Sequence, residues 1–227
     1  ACFAHPPHVA GRLVARRAIG GANSGFTMIE LMVVVIIIAV VAALTIPSIV
    51  SRMRERRAGE AASRVALLFQ MARSEAIGRG AAVLVRYTQS TRGAFLVREA
   101  QRGTSAGAGC QSLPEPSCTI TDFNNAGPQQ YRDVTSLDFG QRAEYSQVRA
   151  VMVAPGGANP AALDLCFTPM GRTFMRTNLN GTFAPLTGIY QASVYRGDVG
   201  EPIGLTRNVM LLPNGIARIV AVAEPTP

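Results

Sequence analysis

One carboxylate stands at the start of the most apolar stretch of the sequence. Glu30 is followed by roughly 20 residues without a charged side chain, from Leu31 to Val50, which is about the length of a helix that crosses a bilayer core. An ionised side chain is costly in lipid, so a carboxylate at this place is by default a functional group. Its chemistry there would be to attract a cation.

The remaining side chains exclude several kinds of catalysis. Both histidines, His5 and His8, precede the apolar run, and the chain contains no lysine and no tryptophan. Residues 26–227 therefore lack the side chains of Ser-His-Asp and Cys-His nucleophiles, of histidine metal sites and of Schiff-base lysines. Carboxylates are present, but none stands in a catalytic motif. The sequence favours a protein that is not an enzyme and that binds no cofactor.

The positive charge is concentrated on both sides of the apolar run. The formal net charge is +8, and every basic residue is an arginine. Residues 1–25 hold three arginines and no acid, residues 26–79 seven arginines and four acids, and residues 80–227 twelve arginines and ten acids. A role in membrane topology accounts for the flanking charge. The C-terminal part is nearly balanced, which does not favour nucleic acid as its main partner.

The order of basic and apolar segments differs from that of a secretory signal. Residues 1–24 are small, polar and basic, and the apolar run begins only after Gly25, whereas a secretory signal has its apolar region before the cleavage site. The residues Gly25-Phe-Thr-Met-Ile-Glu-Leu31, followed by the apolar run, resemble the class III signal of type IV pilins and pseudopilins. In that family a prepilin peptidase cuts after the glycine, on the cytoplasmic side.

That resemblance implies a role for each residue of the motif. Residues 1–25 would be a prepilin leader, cleavage would fall between Gly25 and Phe26, and the new N-terminal Phe26 would be N-methylated. Glu30 lies one helical turn further on and shares a face with Phe26. We expect it to compensate an N-terminal ammonium, either its own or that of a neighbouring subunit, where it would set the axial register of assembly.

The same resemblance implies partners and a location. The partners are prepilin peptidase and other pilin or pseudopilin subunits, which contact the chain through its N-terminal helix. The chain would cross the bacterial inner membrane once, with its N-terminus cytoplasmic and its C-terminal domain periplasmic, and would lie in a pilus or pseudopilus once assembled.

The sequence predicts one long helix over residues 27–77. Residues 26–50 form its transmembrane and assembly half, in which Pro47 predicts a kink or local melting because proline removes a helical hydrogen bond. Residues 51–79 form an amphipathic half that ends near Gly80. Apolar residues at helical spacing predict the stripe that this half packs on a domain, and they are Ala61, Val65, Leu68, Ala72 and Ala76.

After Gly80 the apolar pattern changes to the alternation of β-strands. Residues 80–227 are predicted to be a periplasmic β-rich domain. The fold class is α+β and pilin-like, with a long N-terminal transmembrane-plus-amphipathic helix packed on a C-terminal antiparallel sheet. The predicted strands are Ala82–Tyr87, Gly93–Arg98, Ser136–Phe139, Val148–Ala154, Leu163–Thr168, Gly188–Tyr195, Asn208–Leu212 and Ile216–Val222.

Three cysteines lie in this domain. Cys110 and Cys118 enclose a short loop, and in an oxidising periplasm their spacing predicts a disulfide. Cys166 lies inside an apolar strand and is predicted to be a buried free thiol. The domain has no Cys-x-x-Cys pair and no histidine, so we predict no metal site.

Two further segments are similar to the C-terminal domain of GspH/FimT-type minor pilins and pseudopilins. They are Cys166-Phe-Thr-Pro-Met-Gly-Arg172 and Leu212-Pro-Asn-Gly-Ile-Ala-Arg218. The resemblance implies a structural subunit that enters or primes a type IV pilus or a type II secretion pseudopilus. Two ordinary glycine turns between strands would also explain the same residues.

The same family suggests a less favoured alternative, which is DNA binding during natural transformation. Some FimT-like proteins bind DNA through a Gly-Arg-x-Arg element, but here Gly215 is followed by Ile and Ala, so only Arg218 remains. Arg172 and Arg176 are the other candidate DNA contacts. Arginines scattered over a solvated face account for these residues more simply. A membrane-anchored periplasmic enzyme is a third alternative, against which the missing histidine argues.

Overall fold

A computed structural model describes residues 26–102, 113–124, 131–198 and 201–222. The chain divides into two compact units between Pro47 and Ser48, and each is considered by itself below. Within the described residues there is one α-helix, α1, Met28–Arg79. The strands are β1 Val83–Thr88, β2 Ala94–Arg102, β3 Leu113–Pro114, β4 Tyr131–Asp138, β5 Val148–Val153, β6 Ala162–Phe167, β7 Thr173–Arg176, β8 Ala184–Pro185, β9 Tyr190–Asp198, β10 Glu201–Leu211 and β11 Ala217–Val222.

The first unit contains the apolar part of α1. Its segment Met28–Ile46 is long and apolar enough to cross a membrane, and its large apolar side chains are exposed. The hydroxyl of Thr45 donates to the carbonyl oxygens of Val41 at 2.9 Å and Ala42 at 3.3 Å. Lipid offers no hydrogen-bond partner, so a polar group that is satisfied within its own helix suits a membrane-spanning segment.

In the second unit, α1 presents a stripe of small apolar residues to the sheets. The predicted stripe is confirmed, since every member is buried: Ala61, Val65, Leu68, Ala72 and Ala76. Alanines let the helix axis approach the sheets closely, while Phe69 fills the space between them. The helix ends where Gly80 adopts a positive φ of 68° and its N–H donates to the carbonyl of Ala76 at 3.1 Å, the left-handed cap that glycine favours.

Two antiparallel sheets complete the α+β fold, and the predicted fold class is confirmed. The strand order is β3-β2-β1-β6-β7-β8 in one sheet, with β4 also paired to β2, and β11-β10-β9-β5 in the other. All pairings are antiparallel. The core lies between α1 and these sheets and contains edge-to-face contacts of Phe95 with Phe69 and Phe139. Burial in this core raises the pKa of the Tyr87 phenol.

Three short strands were not predicted from the sequence. They are β3, β7 and β8, of which β7, Thr173–Arg176, pairs with β6 over four residues. Four residues are too few for an alternating pattern to be recognised. β10 also begins earlier than the predicted strand. Its first half was not predicted because it contains Pro202 and Gly204, both of which lower strand propensity.

A buried carboxylate joins the end of α1 to the first sheet. Glu99 on β2 is almost fully buried and accepts from Arg79 Nε at 2.6 Å and from Arg132 Nε at 2.9 Å. The hydrogen bond and the charge of Glu99 raise the pKa of the Arg79 guanidinium. Because Arg132 lies opposite Glu99 on β4, one carboxylate connects the helix with two strands.

The disulfide corrects the sequence prediction. Cys118 is bonded to Cys166, 48 residues away in sequence, with their Cα atoms 6.1 Å apart. The free thiol predicted at Cys166 is therefore wrong, as is the pairing of Cys118 with Cys110, which itself lies outside the described residues. The segment after β3 returns over the sheet, where the carbonyl of Glu115 accepts from the N–H of Ala82 at 2.6 Å. This return brings Cys118 to β6, and closing so long a loop stabilises by about 4 kcal/mol on the entropy model.

Gly93, which directly precedes β2, lies close to β5 of the other sheet. Its φ is +91°, and an added Cβ would stand 2.1 Å from the carbonyl oxygen of Ala150 on β5. The neighbouring carbonyl of Arg92 accepts from the N–H of Ala150 at 2.9 Å. A side chain at residue 93 would therefore force the backbones of the two sheets apart.

We expect Gly93→Ala to lower the free energy of unfolding by at least about 2 kcal/mol, from positive-φ strain and overpacking together. Gly156→Ala is the matched control, since Gly156 has a φ of +90° but an added Cβ there meets no atom within 4 Å. The control should lose about 1 kcal/mol, the strain alone. Urea unfolding compares the two variants, and equal losses would show that the approach to β5 is unimportant.

Candidate assembly site and membrane anchor

The helix N-terminus is closed by a threonine. Thr27 precedes the first helical residue, and its Oγ1 accepts from the backbone N–H of Glu30 at 3.3 Å. Its carbonyl oxygen accepts from the N–H of Leu31 at 3.2 Å, the first bond of the helix. This is the geometry of an N-cap, in which a hydroxyl satisfies an amide that has no partner inside the helix.

Glu30 is therefore the third residue of the helix and has an exposed side chain. Thr27-Met-Ile-Glu30 has the Ser/Thr-x-x-Glu spacing of a capping box, in which the glutamate side chain reaches back to the amide of the cap residue. The capping role of Thr27 was not predicted from the sequence, although this spacing is the signal for it. Glu30 consequently has two candidate roles, a local one at the cap and the predicted one as partner of an ammonium.

The first turn is an electrostatically suitable place for this carboxylate. Unsatisfied amides give the start of a helix a partial positive charge, which stabilises an acid there. Phe26, one turn before Glu30, is described, whereas Gly25 lies outside the described residues. A free amine at Phe26 would add a full positive charge within reach of the same face of the helix. The turn can thus hold one carboxylate between two sources of positive charge.

Pro47 lies within α1, whose bounds are Met28–Arg79. The predicted kink or local melting at this residue remains a prediction. Two boundaries fall next to this proline. The membrane-crossing candidate ends at Ile46, and the division between the two compact units follows Pro47. The proline therefore stands at the junction between the apolar part of the helix and the part that belongs to the folded domain.

The three arginines that were candidate DNA contacts have different surroundings. Arg172 and Arg218 are exposed. Arg176 is not available as a surface cation, because its side chain is only 9% exposed and its Nε donates to Asp164 Oδ2 at 2.9 Å. Its guanidinium also stacks over the ring of Phe183, with Cζ 4.4 Å from the ring centroid. The predicted trio is thus reduced to two exposed residues.

Asp164 is the centre of a buried charged cluster that the sequence analysis missed. It lies on β6, its side chain has no exposed surface, and it accepts two hydrogen bonds from Arg86, at 2.7 and 2.8 Å. Arg86 and Arg176 face it from the two neighbouring strands. Arg86 also donates to Asn124 Oδ1 at 2.6 Å. The signal was an acid inside the apolar run Leu-Asp-Leu-Cys-Phe, which requires a buried cation.

The two segments that carry the GspH/FimT resemblance lie against each other. A Cβ added to Gly215 would be 2.8 Å from Thr173 Oγ1 and 3.1 Å from the ring of Phe167. Gly171 and Gly215 both have positive φ and both close a turn, with N–H bonds to the carbonyls of Thr168 at 2.9 Å and Leu212 at 2.8 Å. The close approach explains why glycine is needed at residue 215.

The described ranges contain no convergence of three His, Cys, Asp or Glu side chains that could hold a metal ion. What the N-terminal region can do is insert in a membrane and present a carboxylate at the first helical turn. What the second unit provides is a disulfide-linked α+β domain attached to the same helix.

Comparison with known protein families gives a match near the N-terminus of the chain. Residues 21–46 match the prokaryotic N-terminal methylation motif. This is the prepilin signal of type IV pilin-like proteins, so the resemblance of Gly25–Leu31 is confirmed at that level. Neither the curated proteins nor the solved structures give a significant match to the chain.

The motif carries general functional implications. It implies processing by prepilin peptidase, assembly with other pilins and a structural protein rather than an enzyme. Together with the apolar helix Met28–Ile46, it indicates anchoring in a membrane. The match ends at residue 46 and does not extend into the folded domain.

Proposed function

We propose that the protein is a minor pilin or pseudopilin of the GspH/FimT type. It is cleaved after Gly25, held in the inner membrane by the first part of α1, and incorporated into, or used to prime, a type IV pilus or a type II secretion pseudopilus. The observation that carries the proposal is the methylation motif at residues 21–46, continued by a capped apolar helix and a disulfide-linked α+β domain. The N-terminus lies in the cytoplasm and the domain in the periplasm.

The domain supports a minor rather than a major subunit. The segments that end in Arg172 and Arg218 pack together around Gly215, and the element order is a long helix, a hairpin and further strands, which is also the order in GspH/FimT-type domains. The disulfide between Cys118 and Cys166 is consistent with an oxidising compartment such as the periplasm. DNA uptake is the weaker alternative, because Arg176 is committed to Asp164.

Processing tests the proposal most directly. When the full chain is co-expressed with a prepilin peptidase, we expect mass spectrometry to find a mature chain that begins at N-methylated Phe26. Gly25→Leu should remain uncleaved, because a branched side chain occupies the place of the small residue before the cut, while the chain still inserts through Met28–Ile46.

Gly20→Leu is the matched control for the processing experiment. It makes the same substitution in the leader, outside the motif at residues 21–46, and should be cleaved normally. A mature chain that begins anywhere other than Phe26, or normal cleavage of Gly25→Leu, would contradict the proposal. Loss of cleavage in both variants would point to general disruption of the leader.

A further inference from the structure

A cavity of about 290 Å³ in the second unit is lined by four arginines from four different elements. Arg54 comes from α1, Arg92 from the turn between β1 and β2, Arg149 from β5 and Arg196 from β9. Among the described residues that line it, Asp198 is the one carboxylate. Four cations around a single space repel one another unless something neutralises them.

The described residues do not neutralise this charge. Asp198 lies 3.5 Å from Arg149 Nη2, but its side chain is 90% exposed, so the pair is weak in water. Arg92 Nη1 donates to the carbonyl of Tyr145 at 3.2 Å, and a neutral carbonyl fixes the guanidinium without cancelling its charge. No carboxylate of the described part of the chain lies within ion-pair distance of Arg54, Arg92 or Arg196.

Two buried donors of the same cavity lack an acceptor. The Nε atoms of Arg149 and Arg196 are buried and have no hydrogen-bond partner among the described residues. Buried N–H groups are nearly always hydrogen-bonded, so two donors without a partner in one cavity indicate that an acceptor binds there. A phosphate group offers several acceptor oxygens and a negative charge, and the guanidinium fork matches its geometry.

We propose that this arginine-lined cavity binds the phosphate of an anionic membrane lipid. Arg54 follows Ile46, the last residue of the membrane-crossing candidate, by about two helical turns. Arginines that closely follow a membrane span reach the headgroup region, where the lipid phosphates lie. Arg54 and Arg196 also line a second, smaller cavity with Arg57 and Glu144. Glu144 is paired with Arg64 at 3.5 Å and with Arg142 at 3.6 Å, so positive charge still predominates along this part of the helix.

An apolar side chain favours a lipid over other carriers of phosphate. Ile203 belongs to the lining of the cavity and is 58% exposed. It would contact the glycerol or the first acyl carbons of a lipid whose phosphate lies among the arginines, whereas inorganic phosphate and nucleic acid would leave it in water. Residues 80–227 hold twelve arginines and ten acids, which gives little of the extended positive surface that nucleic acid requires.

The inference depends on membrane anchoring and not on incorporation into a filament. A subunit held by one helix in the membrane would gain a second attachment through its domain, and this attachment would be released when the subunit leaves the bilayer. Failure of lipid binding would leave the processing experiment unaffected, and failure of processing would leave the lipid measurement interpretable.

Native mass spectrometry of the full chain in a neutral detergent tests the proposal. Phosphatidylglycerol and phosphatidylcholine are titrated separately, and we expect a bound molecule of phosphatidylglycerol that phosphatidylcholine does not replace. Arg149→Gln with Arg196→Gln should weaken phosphatidylglycerol binding by an order of magnitude or more. Substituting these partly buried residues also affects folding, so Arg54→Glu serves as the second variant. It changes an exposed helical residue and should weaken binding similarly.

Arg172→Gln with Arg218→Gln is the charge-matched control, since both arginines are exposed and line neither this cavity nor the second one. It should bind phosphatidylglycerol like the unmodified chain. Equal affinity for the two lipids, or unchanged binding in both cavity variants, would overturn the proposal. Competition by inorganic phosphate at the same concentration would reassign the site to free phosphate, and tighter cavity-dependent binding of duplex DNA would reassign it to nucleic acid.

Discussion

Replacing Asp164 by asparagine should lower the free energy of unfolding by about 3–5 kcal/mol, the cost of removing one partner from a buried ion pair. The carboxylate is fully buried and accepts from Arg86 and Arg176, whose side chains are 12% and 9% exposed. Asparagine has the same shape but no charge. Two guanidiniums, on the strands at either side of β6, would then remain close together without an anion between them.

Asp133→Asn is the matched control. Asp133 also pairs with an arginine, since Arg98 Nε donates to its Oδ1 at 2.9 Å, but its side chain is 58% exposed. Exposed ion pairs contribute less than about 1 kcal/mol. The same chemical change should therefore have effects that differ several-fold, because only one of the two carboxylates is out of contact with water.

Urea unfolding of the full chain in detergent, followed by near-ultraviolet circular dichroism of the tyrosines, measures both variants. Arg176→Gln added to Asp164→Asn should recover part of the loss, since it removes one of the two like charges. Equal losses in Asp164→Asn and Asp133→Asn would contradict the expected role of burial. Failure of the added Arg176→Gln to recover any stability would instead attribute the loss to hydrogen bonds.

The helix and most strands were predictable because their signals are local. The stripe from Ala61 to Ala76 repeats at helical spacing within one segment, and all of it is buried. The hairpin of β1 and β2 needs only two alternating runs and a turn, and Val85 lies opposite Val97 as a hairpin requires. A periodicity is a property of neighbouring residues, so it is visible without knowledge of the rest of the fold.

The disulfide was not predictable in the same way. Sequence spacing favours Cys110 for Cys118, but pairing depends on which strands become neighbours in the sheet. Cys166 is reachable only because β6 lies next to β1 and the segment after β3 crosses over them. Pairing across 48 residues is a property of the topology, which cysteine spacing does not contain.

Arg176 illustrates the same limit for the candidate sites. In the sequence, Arg176 follows a glycine turn, and an arginine at such a place is expected to be a surface cation. Its role is decided by the pairing of β7 with β6, which places Asp164 directly opposite. Conversely, the capping pattern of Thr27 and Glu30 is local and was available in the sequence, yet it became evident only in the hydrogen bond at the helix start.

This cap makes the role of Glu30 separable by mutation. A glutamine at residue 30 can still take part in a capping box, because Gln serves as well as Glu there, but it carries no charge. A valine at residue 27 keeps the branched shape of threonine and removes the hydroxyl that accepts from Glu30 N–H. The first variant removes the charge and keeps the cap, and the second does the reverse.

We expect Glu30→Gln to be inserted and cleaved normally but to be depleted at least about tenfold from the sheared filament fraction, since losing a charge pair in lipid or a packed helical core costs more than about 1.4 kcal/mol. Thr27→Val should lose about 1 kcal/mol of helix stability at most and assemble.

Immunoblots of membrane and filament fractions give the ratio of assembled to membrane-bound protein for each variant. Normal incorporation of Glu30→Gln would exclude the charge as an assembly determinant, and depletion of Thr27→Val alone would assign the site to capping. We expect the charge to matter because the helix would leave lipid for a filament on assembly, and a carboxylate that pairs with the next subunit's ammonium would be neutralised only in the correct register.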